Sequence, residues 1–150
     1  MEVTKKEILK SMEIKRILQN IIIYFIGYLI LAGSAISIML TINPTWGLIM
    51  LTITSILFLV FLGYQIYRIF YLLSLRNKNL CQEVRIQKVN YYMSGKIPVF
   101  LGRVKTSSET KMVETNAIYK LKHVEIYQNK KVKALYDEKK NRIYILSLLD

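Results

Sequence analysis

The sequence predicts an α+β membrane protein, in which a transmembrane helical hairpin is followed by a small antiparallel β-barrel of the SH3-like or OB-like type in the cytoplasm. Two adjacent runs, 21–42 and 46–67, contain no Asp, Glu, Lys or Arg. Each run reaches the roughly 20 apolar residues that a helix needs to cross a bilayer. After about residue 76, short stretches alternate apolar and polar residues, which is typical of half-buried strands.

Composition agrees with a membrane protein. The chain has 150 residues, of which 53% are hydrophobic, and a net charge of +12. Much of this apolar content is concentrated in the two uncharged runs, as is typical of a membrane protein. Cys81 is the only cysteine and His123 the only histidine, so the sequence offers neither an intramolecular disulfide nor a familiar zinc cluster. We therefore expect no metal and no cofactor.

Residues 1–20 are predicted to form a basic amphipathic N-terminal helix, with Thr4 as its cap. Ile14, Ile17 and Ile21 follow helical spacing into the first apolar run. One interpretation places this helix on the inner leaflet, where its Lys and Arg side chains attract anionic lipid. The other interpretation is a solvated lead-in helix that only sets the topology.

Residues 21–75 are predicted to form the hairpin, and its second helix continues to about residue 75. The turn at Asn43 and Pro44 carries no charge, whereas Lys and Arg precede the first run and follow the second. Because positive residues stay on the cytoplasmic side, we expect a multi-pass protein of the cell membrane with both termini in the cytoplasm. The residues predicted for the membrane interfaces are Tyr24, Tyr28, Trp46, Tyr64, Tyr67 and Arg68.

Small residues predict where membrane helices meet. Gly33 and Ser37 lie one turn apart in the first run, and Thr52 and Ser55 are available opposite them. Such residues let helices approach closely, within the hairpin or along a dimer seam or pore. Neither run contains an ionisable acid or base, so the sequence offers no machinery for a proton relay.

The tail, residues 76–150, is predicted to contain about five short strands. Val84 and Ile86 alternate in one phase and Val89 resumes in the other, which predicts a bulge between them. The final strand is apolar on both faces, so we expect it to be central or covered by a helix. The segments after the first strand are predicted as strands at about 99–104, 110–114, 132–136 and 143–146, with a helical turn over 116–123.

Part of the tail resembles a known kind of module. A Tyr-rich hairpin at 90–95 is followed by the stretch NKKVKALYDEKKNRIYIL at 129–146. This arrangement, over about 60 residues, looks like the small β-barrel modules of uncharacterised bacterial two-helix membrane proteins. The resemblance implies a fold, and it implies no activity and no functional residue. Richness in Ile, Lys, Asn and Tyr separately suggests an AT-rich bacterial genome.

The tail shows no convincing catalytic set. Asp137 and Glu138 are adjacent in a predicted turn, where carboxylates serve turn chemistry. His123 lacks a spaced metal-binding partner and is expected at the surface or beside Glu125. Cys81 follows the second helix closely and is expected to be a packed thiol, with lipidation as the alternative. We therefore expect no enzymatic activity.

Basic residues crowd around the last predicted hairpin, and such a surface attracts negatively charged partners. Four interpretations stay open: anionic lipid of the inner leaflet, an acidic face of another protein, a nucleotide stacked on an exposed Tyr, and a solvated surface without a partner. The residues of this basic hairpin are Lys130, Lys131, Lys133, Lys139, Lys140 and Arg142.

The leading functional interpretation is a non-enzymatic, membrane-anchored interaction protein. Its basic β domain would dock on another membrane protein, or on a second copy, in an accessory, regulatory or immunity-type role. The alternative is a ligand-gated membrane effector, whose barrel binds a small anion such as a nucleotide and drives the hairpins to oligomerise. A weaker third interpretation is a protein that only organises anionic lipid.

Overall fold

The chain forms two compact units in the computed structural model, which describes residues 2–78, 80–116 and 119–149. One unit is Ile17–Phe70, and the other joins Met1–Arg16 to Tyr71–Asp150. In chain order the elements are α1 (Lys5–Lys10), α2 (Met12–Thr41), α3 (Pro44–Leu75), a 3₁₀ turn (Arg76–Lys78), β1 (Cys81–Tyr92), β2 (Ile97–Lys105), β3 (Thr110–Thr115), α4 (Lys122–Tyr127), β4 (Lys131–Asp137) and β5 (Arg142–Leu148).

The first unit is built from α2 and α3, which are long and apolar enough to cross a membrane. The chain covers only 6% of the most apolar window of each helix. The turn between them is a helix cap, because the Asn43 side chain accepts hydrogen bonds from the backbone of Thr45 and Trp46. Pro44 then occupies the first helical position, where a missing N–H costs nothing. The prediction of two apolar helices is confirmed.

Aromatic pairs join α2 to α3. Tyr24 stacks on Phe61 with ring centroids 3.7 Å apart, and Tyr28 stacks on Phe58 at 4.7 Å. The Tyr28 hydroxyl also lies 3.1 Å from Ser55 Oγ. A hydroxyl between two apolar helices needs such a partner, because an unpaired polar group in apolar surroundings is costly. Other hydroxyls of this unit bond to carbonyls of their own helix, namely those of Ser34, Thr41, Thr52 and Thr54.

The N-terminal segment belongs to the second unit. Thr4 and Glu7 form a capping box at the start of α1, so the predicted cap is confirmed. The single helix predicted from Thr4 onward is wrong, because Ser11 is extended (ψ 155°) and separates α1 from α2. Ile8 is 1% exposed and α1 contacts β5, so protein covers the apolar side of this helix. A contact of its basic side chains with lipid stays a prediction.

The rest of the second unit is a closed five-stranded barrel with the strand order β1-β2-β3-β5-β4. The register shifts between Ile86 and Lys88, which confirms the predicted bulge. All neighbouring strands are antiparallel except β3 and β5, which are parallel. The prediction of a purely antiparallel barrel is therefore wrong, because α4 and β4 lie between β3 and β5 in the chain and return β5 in the direction of β3.

The helical turn predicted over 116–123 is misplaced. The α4 helix begins at Lys122, and residues 117 and 118 lie outside the described residues. Packing decides this position, since Val124 and Tyr127 on α4 pack against the barrel interior. The buried residues of that interior are Val84, Ile86, Phe100, Val104, Val113, Tyr119, Val132, Ala134, Tyr136, Ile143 and Ile145.

A second apolar layer lies on the outside of the barrel. Leu135 and Tyr144 are cross-strand partners whose neighbours along each strand point into the barrel, yet they are 0% and 3% exposed. Ile8, Leu72 and Leu75 of the same unit are also at most 3% exposed, although none of them belongs to the interior cluster. The β5 strand is therefore buried on both faces, as its sequence predicted.

Gly102 lies on β2 at the point where β1 changes its pairing partner from β2 to β4. A side chain at this position would point into the barrel interior. A Cβ built there would lie 2.2 Å from Val84 Cγ1 and 3.2 Å from Ile143 Cδ1. We expect Gly102→Ala to lower the free energy of unfolding by about 1–3 kcal/mol through overpacking. Thermal unfolding of the full chain in mild detergent measures this loss. Gly63→Ala is the control, because its Cβ meets nothing within 4 Å; equal midpoints for the two variants would contradict the prediction.

An ion pair between Glu7 and Lys133 connects α1 to the barrel. Glu7 Oε1 accepts a hydrogen bond of 2.7 Å from Lys133 Nζ, which is only 12% exposed. This bond, and then that from the Thr4 backbone, lowers the pKa of Glu7 below its ordinary value of 4.5. A lowered pKa means that the ion pair stabilises the fold fully above pH 4.5 and loses its contribution as the pH falls through the lower folded value.

We therefore expect Glu7→Gln to cost about 1 kcal/mol at pH 7, because the partly exposed pair is screened by solvent. Gln keeps the capping box, so the variant isolates the charge. The difference from the native chain, measured by urea unfolding, should shrink as the pH falls below 4.5. A difference that stays constant down to pH 3 would show that the loss does not come from the charge of Glu7.

Candidate functional site

A groove of about 660 Å³ opens on the outside of the barrel where β1 and β2 separate. The last pair of that ladder is Ile86 with Gly102, and the preceding part of β1, Cys81–Arg85, pairs with β4 instead. Barrel closure thus leaves a gap between the first half of β1 and the last residues of β2. The floor and walls of the groove come from the strands themselves.

The Gln82 side chain bridges this gap. Its Oε1 accepts a hydrogen bond of 2.8 Å from the Lys105 backbone N–H, and its Nε2 donates one of 3.1 Å to the Lys105 carbonyl. The amide thereby replaces a strand partner for Lys105, so the gap is held at a fixed width without an orphaned backbone group.

Three cations line the groove. Arg85 lies on β1, and Arg103 and Lys105 lie on β2. If the ladder continued past Ile86 and Gly102, Arg85 and Arg103 would be directly opposite each other, and like charges in such pairs are destabilising. Within the described part of the chain, none of the three cations has a carboxylate within ion-pair distance.

Among the described residues, the one carboxylate in the groove lining is already paired with a lysine. Glu83 Oε1 lies 2.9 Å from Lys131 Nζ on the neighbouring strand β4. Gln87, at the bulge, and Thr110, the cross-strand partner of Lys105, add neutral hydrogen-bonding groups to the lining. The groove is therefore a concave surface with three uncompensated positive charges and several neutral donors.

The predicted basic hairpin is not one patch. Lys130 and Lys131 lie at the start of β4, whereas Lys139 and Lys140 follow its end, roughly 20 Å away at about 3.3 Å per residue. Lys133 is bonded to Glu7, as described above. Arg142 pairs with Glu114, which also accepts a hydrogen bond of 2.8 Å from the Tyr92 hydroxyl. The binding role of these six residues stays a prediction.

Lys140 and the turn before it are tied to the end of α3. The Lys140 ammonium lies 4.2 Å from the centre of the Tyr71 ring, a cation–π geometry. The Tyr71 hydroxyl donates a hydrogen bond of 2.7 Å to Asp137 Oδ2, and Asp137 Oδ1 accepts from the backbone of Lys139 and Lys140. The interpretation of Asp137 as a turn residue is thereby confirmed.

The four predicted packing residues occupy different surroundings. Gly33 and Ser37 are exposed, and a Cβ on Gly33 would meet nothing within 4 Å. Thr52 bonds to the Leu48 carbonyl of its own helix, and Ser55 alone bonds across to α2. The close approach within the hairpin lies elsewhere, since a Cβ on Gly47 would lie 2.4 Å from the Met39 Cβ. A seam of Gly33 and Ser37 with a second copy stays a prediction.

The predicted interface residues mostly expose their side chains. Trp46, Tyr64 and Tyr67 are about 60% exposed within the unit Ile17–Phe70. Arg68 donates a hydrogen bond of 3.3 Å to the Gln65 side chain. Tyr24 and Tyr28 take part in the aromatic stacks described above. Their location at a membrane surface stays a prediction.

His123 is part of an aromatic cluster at α4. Its ring meets the Tyr119 ring edge-on at 5.8 Å, and its Nδ1 accepts a hydrogen bond of 2.9 Å from the Lys120 backbone. Burial, and then the charges of Lys122 and Lys120, lower the pKa of His123. The imidazole is therefore neutral at pH 7 and packs, half-buried, on the rings of Tyr119 and Tyr127, a setting that the sequence analysis did not predict.

Cys81 is a packed thiol, as the sequence predicted. Its residue is 7% exposed, and burial raises the pKa of the thiol. A protonated thiol is a poor nucleophile. Across residues 2–78, 80–116 and 119–149, no group of three or more His, Cys, Asp or Glu side chains could hold a metal ion.

No protein-family model, curated protein sequence or solved structure matches this chain.

Sequence reasoning missed the cations of the groove as a set. Arg85, Arg103 and Lys105 each alternate with buried residues, which was a signal that all three face outward. This alternation does not predict where β1 separates from β2. Only that separation makes the three cations line one cavity.

The bridge across the groove can be tested directly. We expect Gln82→Ala to speed hydrogen exchange of the Lys105 amide about fivefold, because the lost hydrogen bond is worth about 1 kcal/mol. Exchange of the full chain in detergent, followed by mass spectrometry or NMR, provides the measurement. Gln128→Ala, an exposed change on the loop after α4, is the control. An unchanged rate at Lys105 would show that Gln82 does not hold the gap.

Proposed function

We propose that this chain is a non-enzymatic membrane protein that anchors a basic barrel domain for interaction with another membrane protein. The observation that carries this proposal is the exposed apolar surface of α2 and α3, of which the chain itself covers only 6% over each most apolar window. Soluble proteins rarely expose such continuous apolar surface, so lipid is its natural cover.

The proposed topology follows from charge. Lys and Arg precede α2 and follow α3, and the turn at Asn43 and Pro44 is uncharged. We propose that both termini lie in the cytoplasm of a bacterial cell and that the hairpin crosses the cell membrane. The barrel would then lie on the side where its positive charge meets anionic lipid and acidic protein faces.

We infer that the barrel is of the OB-like rather than the SH3-like type. This inference is supported by the strand order β1-β2-β3-β5-β4, by the one parallel pair, and by the position of α4 between β3 and β4 in the chain. This is a five-stranded Greek-key arrangement of the kind that binds extended ligands on its outer face. The fold is therefore consistent with a binding module and carries no argument for catalysis.

Recovery of a partner tests the proposal. Crosslinking of the tagged full chain in its native membrane, followed by purification in mild detergent, should recover one membrane protein in near-stoichiometric amount. The double variant Lys130→Glu with Lys139→Glu should lower this recovery about tenfold, since both side chains are exposed. Lys5→Glu with Lys6→Glu on α1 is the control of equal charge. Recovery of the chain alone would refute the docking role.

A second candidate function is favoured by the groove between β1 and β2. A cationic groove on a membrane-anchored barrel suits a receptor for a small anion, whose binding would drive the hairpins to associate. In reconstituted vesicles, such an effector should crosslink into higher oligomers only when the anion is added.

A further inference from the structure

We propose that the groove between β1 and β2 is a binding site for a phosphate ester or diphosphate, held by Arg85, Arg103 and Lys105. This inference deepens the second candidate function by naming its site and ligand class. Binding at the groove does not require that the hairpins oligomerise, so the two ideas can fail separately.

The first step of the argument is the contrast between paired and unpaired cations. On the barrel, Lys131, Lys133 and Arg142 each contact a carboxylate. No described carboxylate compensates the cations of the groove, although Glu83 lies in its lining. Positive charges that lie together without counterions repel one another, and a bound anion removes that repulsion.

The second step is the shape of the site. A cavity of about 660 Å³ is within the range of small-molecule sites and larger than one inorganic ion needs. Arg85 stands on one wall and Arg103 on the other, because their neighbours Ile86 and Gly102 are the last paired residues of the two strands. A ligand with two or more charged oxygens can bridge both walls.

The third step is the choice of anion. Each guanidinium presents planar N–H donors that match phosphate oxygens in pairs. The neutral groups of Gln87 and Thr110 add donors at other angles. A phosphate group has enough oxygens around one centre to use all of these donors, whereas a carboxylate has two oxygens in one plane. The arrangement therefore favours phosphate over an acidic side chain.

The walls are prepared before any ligand binds. The two hydrogen bonds between the Gln82 side chain and the Lys105 backbone hold β1 and β2 at their separation. Glu83 in the lining pairs with Lys131 of β4, so that its negative charge is compensated. Such preorganisation reduces the conformational entropy that a ligand must overcome.

Titration of the full chain with pyrophosphate tests the site. The protein is placed in nanodiscs of phosphatidylcholine, and binding is measured by calorimetry at low salt. Arg85→Gln with Arg103→Gln should weaken pyrophosphate binding at least tenfold. Lys120→Gln with Lys122→Gln, which removes the same charge from the neighbourhood of α4, should change it less than twofold. Equal weakening in the two double variants, or no binding to the native chain, would overturn the proposal.

Two further arms separate the sources of phosphate and the competing partner. Nanodiscs that contain phosphatidic acid should raise the unfolding temperature of the native chain, but not of the Arg variant, if the phosphate belongs to a lipid; adenosine diphosphate should do so if it is soluble. Either result supports the site. Tighter binding of a glutamate-rich peptide than of pyrophosphate would overturn it in favour of an acidic protein. Thermal unfolding without ligand confirms that each variant is folded.

Discussion

The closure of a five-stranded barrel is the constraint on which the rest of the second unit depends. So few strands can close only if one of them bends, and here β1 pairs with β4 over its first half and with β2 over its second. The bulge at Gln87 supplies the bend, and Gly102 allows β1 to pass close to the interior, where any side chain would meet Val84. The gap that becomes the groove is the direct result of this change of partner. The bulge at Gln87, the close approach at Gly102 and the groove thus have one origin.

The second unit also contains the apolar layer on the outside of the barrel, which is separate from the barrel interior. The pair Leu135 and Tyr144 would be exposed on an isolated barrel, and it is buried because the unit also contains α1 and the end of α3. Polar contacts fix these additions in place: Glu7 with Lys133, Tyr71 with Asp137, and Asn116 Nδ2 with Glu13 Oε1 at 3.1 Å. A small barrel has little interior, so this outer layer contributes apolar burial that a tail of its length lacks.

Charge pairing separates two kinds of basic residue in a strongly cationic protein. Cations that bond to carboxylates, such as Lys133 and Arg142, help to stabilise the fold, and their charge is compensated by those carboxylates. Cations without such partners stay available to ligands, and in the groove they are gathered by strand geometry. Net charge alone therefore predicts an attraction for anions, and it does not predict which cations lie together without carboxylate partners. The distinction matters for any charge-neutralising experiment on this chain.

The sequence by itself determined the two apolar helices, the cap at Thr4, the bulge near Gln87, the final hairpin and the doubly buried β5, because these depend on local periodicity and local hydrogen bonding. It did not determine the parallel pairing of β3 with β5 or the position of α4, since each depends on packing between residues far apart in the chain. The break at Ser11 is local, because Ser11 Oγ accepts a hydrogen bond from the Ile14 N–H at the start of α2, and the sequence analysis overlooked this cap. The site follows the same rule. Alternation places Arg85, Arg103 and Lys105 on the outer face, but only the closed barrel decides that β1 leaves β2 at Ile86 and Gly102, and that separation turns three outward cations into one cavity.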